Sequence, residues 1–380
     1  MGKIDELIKQ FCPDGVQKVP LGDVLDYEQP SKYIVKSTEY DNSYNIPVLT
    51  AGKGFLLGYT NEQAGVYAAS EENPTIIFDD FVTSFHWVDF PFKVKSSAMK
   101  MLTCKNKGNS FRFIYYAMCE IGFVAKEHSR HWISVYSKIE IPLPPLAVQK
   151  KIVEILDTFT GMIANLQEEL EQRQKQFEYY CESLVGSAKG EVKTLGEIGR
   201  MERGTGLQKI DFRDTGIPCI HYGQIHTYYD TVATETKSFC SEELAKKLRK
   251  AKPGDLLIAT TSEDVEACCK ATVWLGEGEV AYSGDSFKFS HNQNPKYIAY
   301  LFKTEAFSKQ KRLCATGAKV VRVSGAAMEK FKFSFPPLDK QQEIVDKLDT
   351  FEALISNIKQ EIELRQKQYE YYREKLLTFE

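Results

Sequence analysis

The sequence predicts an α+β protein in which two globular segments, with mainly antiparallel strands, alternate with two long helices. Three observations carry this prediction. The chain has 380 residues, which is too long for one ordinary core and suits two or three domains. Residues 144–184 align without a gap with residues 336–376, and 23 of the 41 positions are identical. Within both copies of this repeat, large apolar residues recur with a heptad period.

The heptad pattern predicts one long helix in each copy. Each apolar series begins after a Pro-Pro pair, where a helix is expected to start. Two helices with matching apolar seams pack most economically on each other, as in a coiled coil. The seam position that opens RQKQFEYY and RQKQYEYY is charged, and a charged seam residue fixes register or pairs with a partner. The predicted seam is Ile152, Leu156, Phe159, Ile163, Leu166, Leu170, Arg173, Phe177 and Tyr180, then Ile344, Leu348, Phe351, Ile355, Ile358, Ile362, Arg365, Tyr369 and Tyr372.

Each globular segment is predicted to combine short strands with one helix. In the first segment the runs IPVLTA, GVYAAS, PTIIFDDF and HWVDFPFKV are rich in β-branched and aromatic residues, and the run FRFIYYAMCEIGF predicts a helix. In the second segment the predicted strands are GIPCIHYGQI, GDLLIATTS, KATVWL and GEVAYSGDSFKFS, and a helix is expected from Pro295 to about Leu313. The two segments start alike, with LGDV and LGEI, which indicates two units of one plan.

Composition argues against several classes of protein. The chain is 43% hydrophobic and 27% charged, as in ordinary globular proteins. No apolar run has the length of a membrane span or the pattern of a signal peptide. The nine cysteines are scattered without CxxC spacing, which indicates neither a disulfide framework nor a zinc ribbon. A reducing cytoplasm is therefore the expected location.

No catalytic apparatus is recognisable, and we predict neither catalytic residues nor a metal site. The chain has no phosphate loop of the form GxxxxGK[ST] and no Asn-Pro-Pro-aromatic loop, and its histidines lack metal-ligand spacing. Asp79-Asp80 could be a metal or acid–base pair, but a strand-end turn is the favoured interpretation. Two tripeptides, Glu191-Val192-Lys193 and Glu235-Thr236-Lys237, resemble the ExK end of metal-dependent nucleases, although neither has a placed upstream aspartate.

Positive charge is concentrated near the end of each globular segment. Residues 93–131 contain 8 basic and 2 acidic residues, and residues 296–332 contain 9 and 2. Such stretches suit contact with phosphate, although a solvated face is an equally good interpretation of charge alone. The loops KEHSRHWIS and GAKVVRVS, with two earlier glycine-rich loops, offer side chains for base and phosphate contacts. The candidate DNA-binding residues are Lys53, Lys126, His128, Arg130, His131, Trp132, Lys209, Lys319 and Arg322.

The chain resembles the specificity (S) subunit of type I restriction-modification systems. The resemblance rests on the start FCPDGVQKVPLGDV, the repeat PPLxxQxxIVxxLDTF, the ending RQKQYEYYREKLLTF, and the phrases GIPCIHYGQI and KPGDLLIATTS, and it covers essentially the whole chain. It implies that each globular segment is a target recognition domain and that the helices form an antiparallel coiled coil between them. The implied divisions are an N-terminal segment (1–18), a first recognition domain (19–143), a central spacer helix (144–189), a second recognition domain (190–335) and a C-terminal spacer helix (336–380).

The resemblance also implies partners. Members of the family bind double-stranded DNA, two methyltransferase (modification) subunits and, in the full nuclease, restriction subunits. They have no catalysis and bind no cofactor of their own, since S-adenosylmethionine, ATP and Mg are expected on the partner subunits. Two readers on a rigid spacer predict a bipartite target, with two half-sites separated by a gap of fixed length.

Two other functions fit parts of the sequence. A coiled-coil scaffold or adaptor without DNA binding would keep the heptads but would not need the basic loops. An orphan nuclease built on the ExK tripeptides would cleave DNA with metal and without partners.

Overall fold

The computed structural model describes residues 6, 8, 10–52, 54–317 and 319–379. The chain forms two compact units. Unit 1 comprises residues 1–165 and 362–380, and unit 2 comprises residues 166–361. Each unit therefore contains one globular segment together with part of both long helices. Across the described part of the chain, no helix is long and apolar enough to cross a membrane.

The described part of unit 1 contains short strands and short helices, besides its share of the long helices. The strands are β1 (Lys18–Pro20), β2 (Leu25–Glu28), β3 (Ile46–Leu49), β4 (Leu56–Thr60), β5 (Thr75–Asp79), β6 (Phe85–Val88), β7 (Lys93–Val94), β8 (Met99–Cys104) and β9 (Glu140–Pro142). The helices are α1 (Leu21–Val24), α2 (Phe111–Glu120) and the long α3 (Leu146–Cys181).

Unit 2 follows the same plan with additions. Its strands are β10 (Glu191–Thr194), β11 (Gly199–Arg203), β12 (Ile217–Ile220), β13 (Val232–Ala233), β14 (Ser238–Cys240), β15 (Lys250–Ala251), β16 (Leu256–Ala259), β17 (Thr261–Ser262), β18 (Lys270–Trp274), β19 (Val280–Tyr282), β20 (Ser286–His291), β21 (Val321–Arg322) and β22 (Lys332–Phe335). Its helices are α4 (Leu195–Ile198), α5 (Tyr222–Thr227), α6 (Glu242–Ala245), α7 (Pro295–Leu301), α8 (Glu305–Cys314), α9 (Gly325–Met328) and the long α10 (Leu338–Thr378).

The two units share one sheet topology. The main sheet of unit 1 has the strand order β2-β8-β5-β6, and that of unit 2 has β11-β20-β16-β18 with β13 added at the edge. A second sheet has the order β4-β3-β7 in unit 1 and β14-β12-β19 with β15 added in unit 2. Most pairings are antiparallel, and the parallel ones include β3·β7 and β12·β19. The prediction of duplicated α+β units with mainly antiparallel strands is confirmed.

The inner strands of the main sheets are continuous apolar runs. TIIF in β5 and LLIA in β16 are buried along their whole length, as a strand covered on both faces must be. Each is bordered on both sides by a hydrogen-bonded neighbour. These strands therefore form the buried interior of each main sheet.

The two long helices pack in antiparallel fashion along the predicted seam. Every predicted seam residue is buried or half-buried, and none is exposed. In unit 1 the rings of Phe159 and Tyr372 stack with centroids 5.2 Å apart, and in unit 2 the rings of Tyr180 and Phe351 stack at 5.0 Å. Phe159 is equivalent to Phe351 in the repeat, and Tyr180 is equivalent to Tyr372. The same Phe–Tyr contact is therefore made once in each unit. The prediction of two long helices packed in antiparallel fashion is confirmed.

The charged seam residues are held within their own helices. The Arg173 guanidinium donates to Gln176 Oε1 (3.1 Å) and to Glu169 Oε1 (3.4 Å), and that of Arg365 donates to Gln368 Oε1 (2.9 Å). The Nε of Arg173 is buried without an acceptor.

Four local predictions need correction. GVYAAS forms no strand and makes only one bridge, between Tyr67 and Phe92. HYGQI is helical rather than extended, because the His221 side chain caps α5. The helix predicted from Pro295 is broken into α7 and α8, since Thr304 caps a new helix. The first expected helix ends at Glu120 rather than Phe123.

Candidate nucleic-acid interface

Each globular segment is fastened to the long helices by one of its own helices. In unit 1 Asp157 of α3 accepts from Arg112 Nε (2.9 Å) and from the Tyr116 hydroxyl (2.5 Å). In unit 2 Asp349 of α10 accepts from Lys296 Nζ (2.5 Å) and from the Tyr300 hydroxyl (2.6 Å). Both aspartates belong to the repeated sequence LDTF. In each unit the aspartate binds a cationic side chain and a tyrosine, which lie four residues apart on one face of α2 or α7.

A buried glutamine makes a second matched contact in each unit. Gln149 Oε1 accepts from the backbone N–H of Ser110 (2.7 Å), and Gln341 Oε1 accepts from that of Asn294 (3.0 Å). Both glutamines also donate to the carbonyl of the first proline of their own Pro-Pro pair. Ser110 and Asn294 are the N-caps of α2 and α7. The orientation of each globular segment on its helices is therefore set by residues that the sequence repeats.

Asp80, which directly follows β5, binds the candidate basic loop of unit 1 (residues 126–134) through two hydrogen bonds. The backbone N–H of His131 donates to Asp80 O (2.8 Å), and that of Trp132 donates to Asp80 Oδ1 (2.8 Å). Asp80 is itself buried and pairs with the buried Lys100 at 3.1 Å. The neighbouring Asp79 Oδ1 accepts from the backbone N–H groups that follow it, which makes a strand-end turn.

The exposed part of this loop gathers around the Phe81 ring. His128 stacks on Phe81 with ring centroids 4.7 Å apart. The Arg130 guanidinium lies 5.9 Å from the Phe81 centroid, and its Nη1 lies 4.0 Å from Asp80 Oδ2. The result is a surface that joins a cation, an imidazole and an aromatic ring, with Arg130 still half-exposed.

Unit 2 has the corresponding arrangement with different side chains. The backbone N–H of Val323 donates to Thr260 O (3.3 Å), as His131 does to Asp80 O in unit 1. The preceding residue is exposed Arg322 of β21, which pairs with Thr261 of β17. Arg130 and Arg322 thus occupy one structural position, and they are separated by 192 residues, the period of the repeat. The strands β9 and β22 also start 192 residues apart, so the two segments align without a gap from these loops to the long helices.

Lys209 and Arg322 lie near opposite ends of α5 in unit 2. The His226 Nε2 of α5 hydrogen-bonds to Thr261 O (2.9 Å), next to the strand that carries Arg322. At the other end of α5, burial lowers the pKa of His221, and the nearby Lys209 ammonium lowers it further. His221 is therefore neutral at pH 7, and its Nδ1 accepts from the Gly223 N–H (3.1 Å).

The structure separates the predicted DNA-binding residues into two groups. Lys53 lies outside the described residues. The side chains of Lys126, His128, Arg130, Lys209, Lys319 and Arg322 are exposed. His131 and Trp132 are only 5% and 1% exposed. The prediction that these two side chains contact DNA is corrected: His131 bonds to the Glu127 carbonyl, and Trp132 packs against Phe78 and Tyr136 in the core.

Sequence reasoning missed Phe81 and Val82 as members of this surface. The turn that carries them precedes the basic loop by about 50 residues, and only the Asp80 clamp brings the two together. Val82 is 59% exposed at the tip of the turn. The signal in the sequence was an apolar pair, Phe81-Val82, in a turn where Gly, Asn and Asp are the usual residues.

The ExK tripeptides are not assembled into a site. Lys193 pairs with Glu191 on the same strand (2.7 Å), and Lys237 lies over the Tyr228 ring (4.6 Å). Within the described ranges, no group of three His, Cys, Asp or Glu side chains could hold a metal ion.

The two units have one α+β topology, and each carries an exposed arginine at the matched position. The chain is therefore an internally duplicated protein of two α+β units. The family model described as the type I restriction modification DNA specificity domain matches residues 13–172 and 189–364. The chain belongs to this family.

Relatives and solved structures agree with this assignment. The chain is 38% identical to the type I restriction enzyme EcoR124I/EcoR124II specificity subunit of Escherichia coli, over all of this chain and 98% of the relative. It is 30% identical, over 96% of both chains, to a putative type I restriction enzyme specificity subunit of Haemophilus influenzae. The fold is similar to the crystal structure of a type I restriction-modification S subunit from M. genitalium, with a TM-score of 0.58 and 14% identity over 95% of this chain and 96% of that one.

Proposed function

We propose that this chain is the DNA sequence-specificity subunit of a type I restriction-modification complex and that it recognises a bipartite duplex target. Each unit reads one half-site, and the paired helices set the length of the unread gap. The observation that carries the proposal is the matched position of Arg130 and Arg322 in two units of one topology. Two copies of one reader with different loops suit two half-sites of different sequence.

The chemistry of the exposed loops supports this function. Arginine offers a planar fork that pairs with the O6 and N7 atoms of guanine or with a phosphate. Lys126 and His128 in unit 1, and Lys209 and Lys319 in unit 2, are further exposed polar side chains of the same units. Such contacts make binding strongly dependent on salt, since each neutralised phosphate releases counterions.

In the proposed complex this chain supplies recognition and other subunits supply chemistry. The long helices dock two methyltransferase subunits, and restriction subunits join them in the nuclease. S-adenosylmethionine, ATP and Mg are bound by those partners, and the target adenine is flipped from the duplex by the methyltransferase. The exposed faces of α3 and α10, which alternate with the buried seam, are free for such docking.

The proposal is tested by mapping methylated adenines. The chain is combined with its methyltransferase subunit and incubated with S-adenosylmethionine and DNA of random sequence, and the modified positions are sequenced. We expect one motif with two half-sites and a constant gap. A contiguous motif would contradict the bipartite reading, and absence of any motif, with no salt-sensitive retardation of duplex DNA, would favour a scaffold. Cleavage of DNA by the chain alone with a divalent metal would favour the nuclease.

A further inference from the structure

The turn between β5 and β6 presents an apolar side chain on a rigid support. Asp79 Oδ1 accepts from the N–H groups of Phe81 (2.8 Å) and Val82 (3.0 Å), and Asp79 O accepts from the Thr83 N–H (3.0 Å). Thr83 closes the turn in the left-handed region, with φ of 59°. Below the turn, Asp80 is fixed by the buried Lys100 and by the loop that carries Arg130. The position of the tip is therefore determined before any ligand arrives.

Val82 at this tip has no role in the core. Its side chain is 59% exposed, while Thr83 beside it is buried. A turn of this kind favours Asn, Asp or Gly, so turn geometry does not require valine. An exposed aliphatic side chain gains nothing in the free protein, but it gains when a ligand covers it. A ligand that places an apolar group over Val82 would therefore gain by covering it.

The surroundings of Val82 indicate what kind of ligand this is. Phe81, the adjacent residue, contacts both the stacked His128 ring and the Arg130 guanidinium. A nucleic acid brings the negative charge that suits Arg130, and its major groove offers one apolar group, the C5-methyl of thymine. An aliphatic side chain forms no hydrogen bonds, so the methyl group is the feature of a base edge that it can distinguish.

We propose that Val82 is a specificity-determining residue that contacts a thymine methyl in the half-site read by unit 1, with Arg130 supplying the neighbouring charged contact. This inference rests on the proposed function. In unit 2 the matched Arg322 is retained, but the connection from β16 to β18 (residues 260–269) is longer and contains β17. The shared arginine is the common anchor, and the adjacent turn is the part that differs between the two readers.

The experiment uses the complex of the full chain with its methyltransferase subunit. Duplexes carrying the mapped target are prepared in which each thymine in turn is replaced by uracil, which lacks only the methyl group. For the wild-type complex we expect one thymine whose replacement weakens binding about four-fold, the factor for one buried methyl group. With Val82→Ala, the thymine and uracil duplexes should bind alike at that position and should still differ at any other sensitive position.

The controls separate this inference from its premises. Val192→Ala removes a similarly exposed valine (67%, against 59% for Val82) from β10 of unit 2 and should leave the discrimination unchanged. Thermal unfolding of both variants should match the wild type, because neither side chain is buried. Sequence-specific binding in which Val82→Ala keeps the full preference for thymine, or in which no thymine is sensitive, overturns the inference and leaves the proposed function intact. A wild-type complex without sequence-specific binding refutes the proposed function as well.

Discussion

Arg130 and Arg322 are the residues whose removal should affect DNA binding most directly. Replacing Arg322 with Ala is expected to weaken binding of the target by about 1 to 3 kcal/mol if it contacts a base. If Arg322 contacts a phosphate, the loss of affinity should be similar for all DNA sequences. The slope of the logarithm of the binding constant against the logarithm of the salt concentration should then decrease in magnitude by about one. Gel retardation at several salt concentrations measures both quantities.

A matched control for Arg322 is available in the same unit. Arg312 is also exposed, but its guanidinium is occupied by Glu266 and Glu305 at 3.0 and 2.7 Å. Arg312→Ala should leave affinity for the target nearly unchanged. Equal losses for the two variants would mean that net charge, rather than position, determines binding.

His291 should make unit 2 less stable in acid. Burial lowers its pKa to about 4, with the Asp255 carboxylate opposing the shift. In the unfolded chain His291 binds a proton near pH 6.5, whereas in the folded chain it does so only near pH 4. The free energy of unfolding is therefore undiminished by His291 above about pH 6.5. It falls as the pH drops from about 6.5 to about 4, by up to about 3 kcal/mol. In His291→Asn the amide oxygen can still accept from Gln293 N–H, but nothing titrates. Urea unfolding at pH 7.5 and 4.5 should show a smaller pH effect in this variant, and an equal effect would reject the assignment.

At the residue scale, composition predicted the charged loop but not which of its members face solvent. The run from Lys126 to Trp132 contains five candidate side chains, and two of them, His131 and Trp132, point into the core. The cause is Asp80, which binds both backbone N–H groups from a turn about 50 residues earlier. No local pattern contains such a distant partner, so burial within this loop could not be predicted.

At the scale of elements, the repeated glutamines should matter more than their polarity suggests. Gln341 is fully buried, and Gln341→Ala would leave the Asn294 N–H and the Pro336 carbonyl without their partner. We expect the free energy of unfolding of unit 2 to fall by about 2 kcal/mol, the cost of burying unsatisfied polar groups. Gln360→Ala, at an exposed position of α10 in the same unit, should cost little. Chemical denaturation compares the two, and equal stabilities would show that water replaces the amide.

Elements with a strong period were predictable, and elements that depend on caps were less so. The seam of α3 and α10 followed from the heptads, because a sustained period of apolar residues has one structural solution. The break between α7 and α8 was missed, because Thr304 caps a new helix inside an apolar stretch. The sequence predicts a strand where the short helix α5 lies. The reason is that β-branched and aromatic residues precede the helix and its N-cap is a histidine, which is not a usual capping residue.

At the scale of the whole molecule, the length of the paired helices should determine the gap in the target. One heptad inserted after Glu169 and another after Glu361 preserve both seams and lengthen each helix by about 10 Å. We expect the gap in the methylated motif to grow by about three base pairs, at about 3.4 Å per base pair, while both half-sites stay the same. Sequencing of methylated adenines checks this, and an unchanged gap would rule out the helices as the spacer.

Asp157 and Gln149 make the same contacts in unit 1 as Asp349 and Gln341 make in unit 2. This equivalence has a consequence for how such chains can change. In each unit the repeated helices contact the globular segment through one short set of groups. The N-cap residue of a helix donates its backbone N–H to the glutamine, and a cation and a tyrosine of that helix bind the aspartate. We therefore expect that a different globular segment that keeps these contacts can replace the present one without any change in the helices.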